Sequence, residues 1–561
     1  MPVSAGKETT SHQLPSWLLR AALIITFLVY VRTVAFDFVY DDHYQISLNA
    51  WLHDWRLIPQ YFTHQLWAFR DLSSPANFYR PMFSVWLAAV YHLTGGAPGW
   101  YHMATILLHL IVVMEAYVLA RLLLQDRLAA AIAAALFALH PSKVEAVAWV
   151  SGGGEPLFAA FFFATFILYW KGRESGSWAV RSASVITFLA ALFTKEQALV
   201  APFIIGIFEI ASHRQESWRM RLWKATRVVL PYFIVFAAFW LARMQVMKGV
   251  GDGLPGLSLS STLWTQPIAW LWYIGHVVFP FNLSMIYPRM IVRGFSVVWV
   301  LLPAIALAFL GIAAWLWARK SPRGVMLLAW FILTLAPPVA MILLVQPHDR
   351  YLYLPTFAVA VGLAGVLRRL PPRWQVLVAA CLCAIFATGS FYESRYWDSD
   401  LSLMQRAVER APSNPYSHLL LSVAYGQQGD LARAKKILVN AADRFPHEFD
   451  IWQALGIQEY SAGNYDEAYA ALTRAANEAG KGQLQLPAVW FHLGLVCQKL
   501  GRAEESERWY RQAIAADANR AVYHAGLASL LESAGRTDEA LAERNLAQQL
   551  RQQISTAALR P

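Results

Sequence analysis

"FDFVYDDHYQISLN" occupies residues 36–49 and directly follows an apolar run from about Trp17 to Phe36. That run is as long as the roughly 20 residues a bilayer core demands of a helix. Two adjacent carboxylates, Asp41 and Asp42, therefore stand where the first span should leave the membrane. The rest of the composition agrees with a membrane reading. Of 561 residues, 57% are hydrophobic and only 15% charged, and mean hydropathy is +0.37. A soluble chain of this size does not carry so much apolar surface; a polytopic membrane protein does. The run is flanked by Lys7 and Arg20, and no small-x-small cleavage signal follows, so it reads as a retained signal anchor.

Ten further apolar runs lie near 99–122, 127–142, 154–171, 179–194, 198–213, 226–247, 296–318, 325–345, 352–369 and 374–392, which makes about eleven expected transmembrane helices. The formal charge of +11 comes largely from five short basic segments, at 120–127, 171–175, 213–224, 318–323 and 368–373. The positive-inside rule puts all five in the cytoplasm. With the N-terminus inside, this works only if 80–94 and 263–281 do not cross. Both are expected to lie in the interface, anchored by Trp86, Tyr91, Trp264, Trp270, Trp272 and Tyr273. The basic residues thus report topology, and no nucleic-acid module is present. Cys381, Cys383 and Cys497 suggest no disulfide framework and no metal spacing; they read as small apolar core residues.

This topology sends the remaining charged loops to the opposite face. They hold Asp41 and Asp42, Arg80, Lys143, Glu145 and Glu155, Lys195 and Glu196, and Asp349 and Arg350. Nothing obliges these groups to share a side, and their co-location points to an active site there.

The composition turns polar and helical near Tyr396. Gly429, Gly463, Gly501 and Gly535 recur at spacings of 34, 38 and 34. Aligned on them, one position reads Leu421, Leu455, Leu493 and Leu527, the next Ser422, Gly456, Gly494 and Ala528, and another Ala434, Ala468, Ser506 and Ala540. This resembles four tetratricopeptide repeats (TPRs), preceded by a half-unit at 403–412, with the four-residue excess in the 480–487 loop. The domains read as 1–392, a membrane unit, and 393–561, the TPR array. Solenoids of this kind bind extended peptides in a concave groove, or serve as rigid spacers.

Taken in order, "YDDHYQISLN", "YRPMFSVWLAAVYHLTG", "LHPSKVEAVAWVSG", "LFTKEQALVAPF", "PFNLSMIYP" and "DRYLYLP", ending in TPRs, resemble the transmembrane-and-TPR O-mannosyltransferases and their bacterial relatives, of the GT-C superfamily. The resemblance implies an all-α polytopic glycosyltransferase that takes a sugar from a polyprenyl-phosphate donor. In that superfamily an acid of the first external loop is the catalytic base. Asp41 matches the first acid of that pair and is expected as base; Asp42 either orients the acceptor or binds a cation. Both could instead be solvated loop acids or helix caps. The adjacent acids allow a divalent cation without requiring one, and no other cofactor is indicated.

A leaving lipid phosphate needs cationic donors at headgroup depth. Arg80, Lys143, Lys195 and Arg350 are the candidates, with Glu155, Glu196 and Asp349 completing the donor phosphate and sugar site. Lys195 and Glu196 could equally form a structural ion pair. His140 and His348 read as helix-end hydrogen bonders, and Tyr351 and Tyr353 as interface anchors. One departure stands out. The family reads Ser-Gly-Arg and then an acid after Val-Ala-Trp, whereas here Ser151, Gly152, Gly153, Gly154 and Glu155 follow, with Gly153 in place of the arginine. That leaves the sugar open between mannose and another hexose.

The expected activity is inverting transfer to Ser or Thr of a protein acceptor docked by the TPRs. Transfer to a lipid or glycan, a transporter, and a membrane-anchored TPR scaffold are the alternatives. The expected partners are the lipid-linked sugar, a protein or peptide acceptor and the bilayer, with no nucleic acid. The expected location is a bacterial inner membrane with a periplasmic site and TPRs, or the endoplasmic reticulum membrane with lumenal TPRs in a eukaryote. The plain N-terminus and the departures from the family pattern favour the bacterial alternative.

Overall fold

The computed structural model describes residues 9–70, 78–247, 259–341, 347–480, 483 and 485–559. Lys7, the end of the 325–345 run and part of the 480–487 loop lie outside the described residues. Among these residues there is no strand; the secondary structure is helical throughout. Two compact units emerge. One contains 9–66, 78–247, 259–341 and 347–403; the other contains 67–70 and the described residues from 404 onward.

In the first unit, each of the eleven apolar runs contains a helix. Seven described helices are long and apolar enough to cross a membrane, or eight if a bent pair is one span. The bent pair is Arg127–Leu139 followed by Pro141–Ala148, turned by 57°. The bend has a local cause: His140 is extended and Pro141 has no N–H to continue the ladder. Trp178–Thr194 and Pro355–Leu367 are apolar but shorter, and Ala201–Ser212 is shorter again. Several helices keep large apolar side chains uncovered, among them Ile234 and Leu241 on Trp218–Met247, and Phe309 and Ile312 on Leu302–Ala318. Water does not tolerate apolar exposure on that scale, whereas a bilayer solvates it. The chain is a multi-pass membrane protein.

The core of this unit is aromatic. Phe163 and Phe357 meet edge to face at 4.8 Å, Phe166 and Trp330 at 4.8 Å, and Phe137 and Tyr353 at 5.6 Å. These rings join Arg127–Leu139, Gly154–Ser175, Pro322–Ala340 and Pro355–Leu367. The Trp330 indole, fully buried, gives its N–H to the Leu354 carbonyl at 2.9 Å, as a buried polar group must.

Three expectations change here. Tyr273 does not anchor an interface. It is buried against Leu335, Val339 and Leu352, because Leu259–Val278 packs on the helix Pro322–Ala340. Tyr353 is likewise fully buried, its hydroxyl bonded to the His109 ring at 2.6 Å. Cys381 is exposed, not a core residue.

The second unit stacks helix pairs Pro415–Gln427 with Leu431–Arg444, Phe449–Ser461 with Tyr465–Glu478, Leu486–Lys499 with Ala503–Ala516, and Ala521–Ser533 with Thr537–Leu559. The recurrent glycines end the first helix of each pair. Gly429, Gly463, Gly501 and Gly535 have φ between +74° and +83°, a region that only glycine enters without cost. After each, the next residue's N–H returns five residues back: Asp430 to Tyr425, Asn464 to Glu459, Arg502 to Cys497 and Arg536 to Leu531, all at 2.9–3.0 Å. This closes the Schellman motif four times. The small position sets how near the helices come. A Cβ on Gly456 would lie 2.5 Å from Leu472 Cγ and 3.1 Å from the Leu472 backbone nitrogen.

Gly456→Ala should therefore lower the stability of the array by about 1–3 kcal/mol, the usual cost of overpacking. Gly426→Ala, where a Cβ meets nothing within 4 Å, should raise it by about 0.4–1 kcal/mol. Denaturant titration followed by helical circular dichroism reads both, and equal effects would contradict this packing.

Candidate active site

The loop after the first span is held in an unusual shape. Tyr40 has φ +54°, an uncommon and costly conformation for a bulky residue. Asp400 compensates: its Oδ1 accepts the Tyr40 N–H at 2.7 Å and its Oδ2 pairs with His43 Nε2 at 2.6 Å. That bond raises the His43 pKa. The Tyr40 ring lies 6.1 Å from Trp149, which stacks on Trp397 at 5.7 Å.

The two acids have different surroundings. Asp42 is fully buried. Its Oδ1 accepts the Ser151 backbone N–H at 2.7 Å and the Ser151 hydroxyl in a short bond, and its Oδ2 accepts the Val39 N–H at 3.3 Å. Burial pushes its pKa up from 3.8 to about 7 against those hydrogen bonds, with Asp41 adding repulsion. Both oxygens accept from N–H or O–H donors, so Asp42 is held by hydrogen bonds. Among the described residues no three His, Cys, Asp or Glu side chains converge to hold a metal. Asp41, next to it, is only partly buried.

Beyond Ser151 the chain is shaped by Gly152, where a Cβ would stand 2.4 Å from the Glu145 carbonyl oxygen. At Gly153, the place of the family's arginine, a Cβ would stand 3.0 Å from the Trp86 ring and 3.1 Å from the Thr105 hydroxyl. A side chain there would meet Trp86 at its first carbon. Glu155 follows in the first turn of Gly154–Ser175 and takes Lys195 in a short ion pair. Burial, above all, holds the Lys195 amine below its usual pKa. Lys195 does not pair with its neighbour Glu196. Glu196 turns to Arg80 at 3.8 Å, to Arg243 at 3.7 Å and to the Tyr79 N–H at 3.5 Å.

The "HDRYLYLP" segment closes the cluster. Glu145 is bonded twice by Arg350, through the guanidinium in a short bond and through the backbone N–H at 3.0 Å, and once by His348 at 3.0 Å. The Arg350 guanidinium lies over Trp149 at 5.1 Å and Tyr351 at 5.3 Å, and Lys195 lies over the same Tyr351 at 4.9 Å. Tyr351 thus joins two cations of the site and is no remote interface anchor.

Two candidates are drawn away from this cluster. Asp349 is buried and accepts the Tyr287 hydroxyl at 2.6 Å, and burial raises its pKa well above the carboxylate range. It ties the 283–287 loop to the 347–353 segment. Lys143 is fully buried, its ammonium on the Tyr353 carbonyl at 3.0 Å and on the Thr356 hydroxyl. His140 sits at a helix end as expected, between the Ser142 hydroxyl at 2.8 Å and the Val277 carbonyl at 3.0 Å.

Sequence reasoning missed Ser151, Arg243, Asp400 and Tyr287 as members of this network. Arg243 had a signal, being a charge near the end of an apolar run. Asp400 had none, since it acts across some 360 residues.

Fold and site together define a helical membrane protein whose charged loops converge at one end of the bundle, joined in sequence to a TPR array. The comparisons with known proteins agree. The tetratricopeptide repeat family matches residues 487–520. A protein O-mannosyl-transferase of Caenorhabditis elegans is 24% identical over 433 residues, 74% of this chain and 61% of that protein. Protein O-mannosyl-transferase Tmtc2 of Drosophila melanogaster is 28% identical over 275 residues, 47% of this chain and 28% of its own length. Protein O-mannosyl-transferase TMTC3 of Mus musculus is 32% identical over 186 residues, 32% and 20% respectively. The chain spans between 20% and 61% of the length of these relatives. Among solved structures, a crystal structure of MamA aligns with 30% of the chain and 93% of its own, at 18% identity and a TM-score of 0.26. By sequence the chain is similar to these protein O-mannosyl-transferases.

Asp42 carries a pH prediction. Its pKa is higher folded than unfolded, so its stabilising contribution is complete below about pH 3.8 and is lost as pH rises through about 7. Asp42→Asn removes that dependence. Melting temperatures of wild type and variant should therefore diverge between about pH 4 and 7, with wild type falling relative to the variant; parallel curves would show that Asp42 ionises freely.

Proposed function

We propose that the protein is a membrane glycosyltransferase that moves a hexose from a polyprenyl-phosphate donor to a serine or threonine hydroxyl of a protein acceptor, with inversion at the anomeric carbon. The observation that carries this reading is the bonding of the Asp41–Asp42 loop to Ser151, within a network that also holds Lys195 and Arg350. A proton acceptor and cations for a leaving phosphate are thereby gathered at one end of the bundle. The names of the relatives support protein O-mannosylation as the class of reaction.

Asp41 is the base in this reading. A hydroxyl is a poor nucleophile near neutral pH, and a carboxylate within hydrogen-bond reach takes its proton as the new glycosidic bond forms. The bond from the anomeric carbon to the phosphate oxygen breaks, and the electron pair leaves with the lipid phosphate. Arg350, Lys195 and Arg80 meet that charge, and Arg243 joins them through Glu196. Asp42 positions: it locks the loop to Ser151. Lys143 and Asp349 hold the surrounding backbone, and Glu155, Glu196 and Glu145 aim the cations. With glycine at position 153, the contact an arginine would make falls to one of these cations. The TPR array supplies the docking surface for the acceptor. The site and the array are assigned to the periplasm of a bacterium, or to the lumen of the endoplasmic reticulum in a eukaryote.

Asp41→Asn keeps shape and loses the proton acceptor. Single-turnover transfer should slow by about 100- to 10,000-fold while donor affinity stays near wild type. Normal transfer by this variant, with Asp42→Asn inactive though folded, would move the base to Asp42.

Arg350→Lys keeps the charge but loses the planar fork. In a variant that melts normally, donor binding should weaken by roughly tenfold, because the second parallel hydrogen bond of the fork is lost. Unchanged donor binding would take Arg350 off the phosphate.

A further inference from the structure

A second cluster of cations lies far from Asp41. The helix Gly154–Ser175 carries Glu155 of the candidate site in its first turn and Arg173 in its last. The eighteen-residue separation corresponds to about 27 Å along the axis, close to the thickness of a bilayer core. Around Arg173, the ends of four helices, Gly154–Ser175, Trp178–Thr194, Ala201–Ser212 and Trp218–Met247, enclose a cavity of about 850 Å³.

Its floor is a satisfied carboxylate. Glu209 is buried, and it accepts the Tyr169 hydroxyl in a short bond and Arg173 Nε at 2.9 Å, with His213 at 3.4 Å. His213 also reaches Glu216 at 3.1 Å, and Glu216 takes Lys224. Arg173, Lys224 and His213 are thus balanced by Glu209 and Glu216. Arg181 and Arg227 are not: among the described residues neither pairs with a carboxylate. Arg181 is positioned by its Nε on the Gly172 carbonyl at 3.1 Å, and Arg227 lies over the Trp223 ring at 5.8 Å. Both line the cavity and carry more positive charge than its walls neutralise.

The other walls are apolar. Val185, Ile186, Val228 and Pro231 line it, and Ile186 is exposed. Trp178, Trp218 and Trp223 also stand exposed on the same helix ends as Arg181 and Arg227. Tryptophans cluster at headgroup depth, which sets these cations where lipid phosphates lie. A cavity with two unbalanced guanidinia and a hydrocarbon-compatible wall, on helices whose ends carry exposed tryptophans, suits one kind of ligand.

We infer that this cavity binds the phosphate headgroup of an anionic membrane lipid, with Arg181 and Arg227 on the phosphate and the acyl chains along Ile186 and Pro231. The site is separate from the transfer chemistry. It rests on the membrane character of the helical unit and not on the identity of the reaction.

The test uses the full chain in nanodiscs of equal parts phosphatidylcholine and phosphatidylglycerol, extracted gently, with retained lipids counted by native mass spectrometry. Wild type should retain phosphatidylglycerol in preference to phosphatidylcholine. The double variant Arg181→Gln/Arg227→Gln should lose that preference by roughly 30-fold, the scale expected for two headgroup cations. Arg181→Lys/Arg227→Lys keeps both charges and should keep most of it, which separates loss of charge from misfolding. Transfer activity does not enter the readout, so failure of the proposed reaction leaves this result untouched. Absence of a phosphatidylglycerol preference in wild type would overturn the assignment, as would an undiminished preference in the glutamine variant. A rise in melting temperature with inorganic phosphate equal to that with phosphatidylglycerol would make this a soluble-anion site and overturn the lipid assignment.

Discussion

A carboxylate with no access to water must be hydrogen-bonded or neutral. Asp42 meets that demand through Ser151 and Val39, and the site depends on the result. The bond ties the loop after the first span to a turn more than a hundred residues later. That turn is able to approach because Gly152 has no side chain to strike the Glu145 carbonyl. Asp400 makes a second tie from beyond the last apolar run and offsets the cost of the Tyr40 conformation. With both in place, Asp41 is left partly open beside a fully buried neighbour.

The cations follow the same logic. Each is aimed by an acid: Lys195 by Glu155, Arg350 by Glu145, Arg80 and Arg243 by Glu196. Aromatic faces, Tyr351 and Trp149 chief among them, cover what the acids do not. Ion pairs of this kind add little stability once desolvation is counted. Their effect here is orientation: each acid fixes the direction of the cation it pairs with. The second cluster, at the other end of the helix Gly154–Ser175, is built differently. There Glu209 and Glu216 neutralise some of the cations, while Arg181 and Arg227 remain unbalanced.

Much of this was legible in the residues. The apolar runs each contain a helix, because a run of that length and hydropathy has few other stable forms in lipid. The glycine spacing located the TPR turns, since a left-handed residue recurring every 34 to 38 positions leaves little choice but glycine. The sorting of charged loops away from the basic segments also brought together most of the site: Asp42, Glu155, Lys195, Glu196, Arg80 and Arg350 do belong to one network. Lys143 and Asp349 share the neighbourhood but are turned into the backbone, a distinction that depends on side-chain direction and burial. Tyr273 and Tyr353 looked like interface anchors because tyrosine composition cannot say which side of a helix meets protein and which meets lipid.

The sequence by itself determined the helical membrane class, the repeat array and the loops in which charged residues gather, since each follows from local length, periodicity or composition. Tertiary structure alone decided who pairs with whom. Glu145 with Arg350, Glu155 with Lys195, and Asp400 with Tyr40 and His43 are contacts between residues 40 to 360 positions apart. Such pairings are set by how helices pack and where the chain must bend, and no local pattern encodes them. The same holds for the division between Asp41 and Asp42. Two adjacent acids of identical chemistry acquire different surroundings only when one is buried against Ser151 and the other is not.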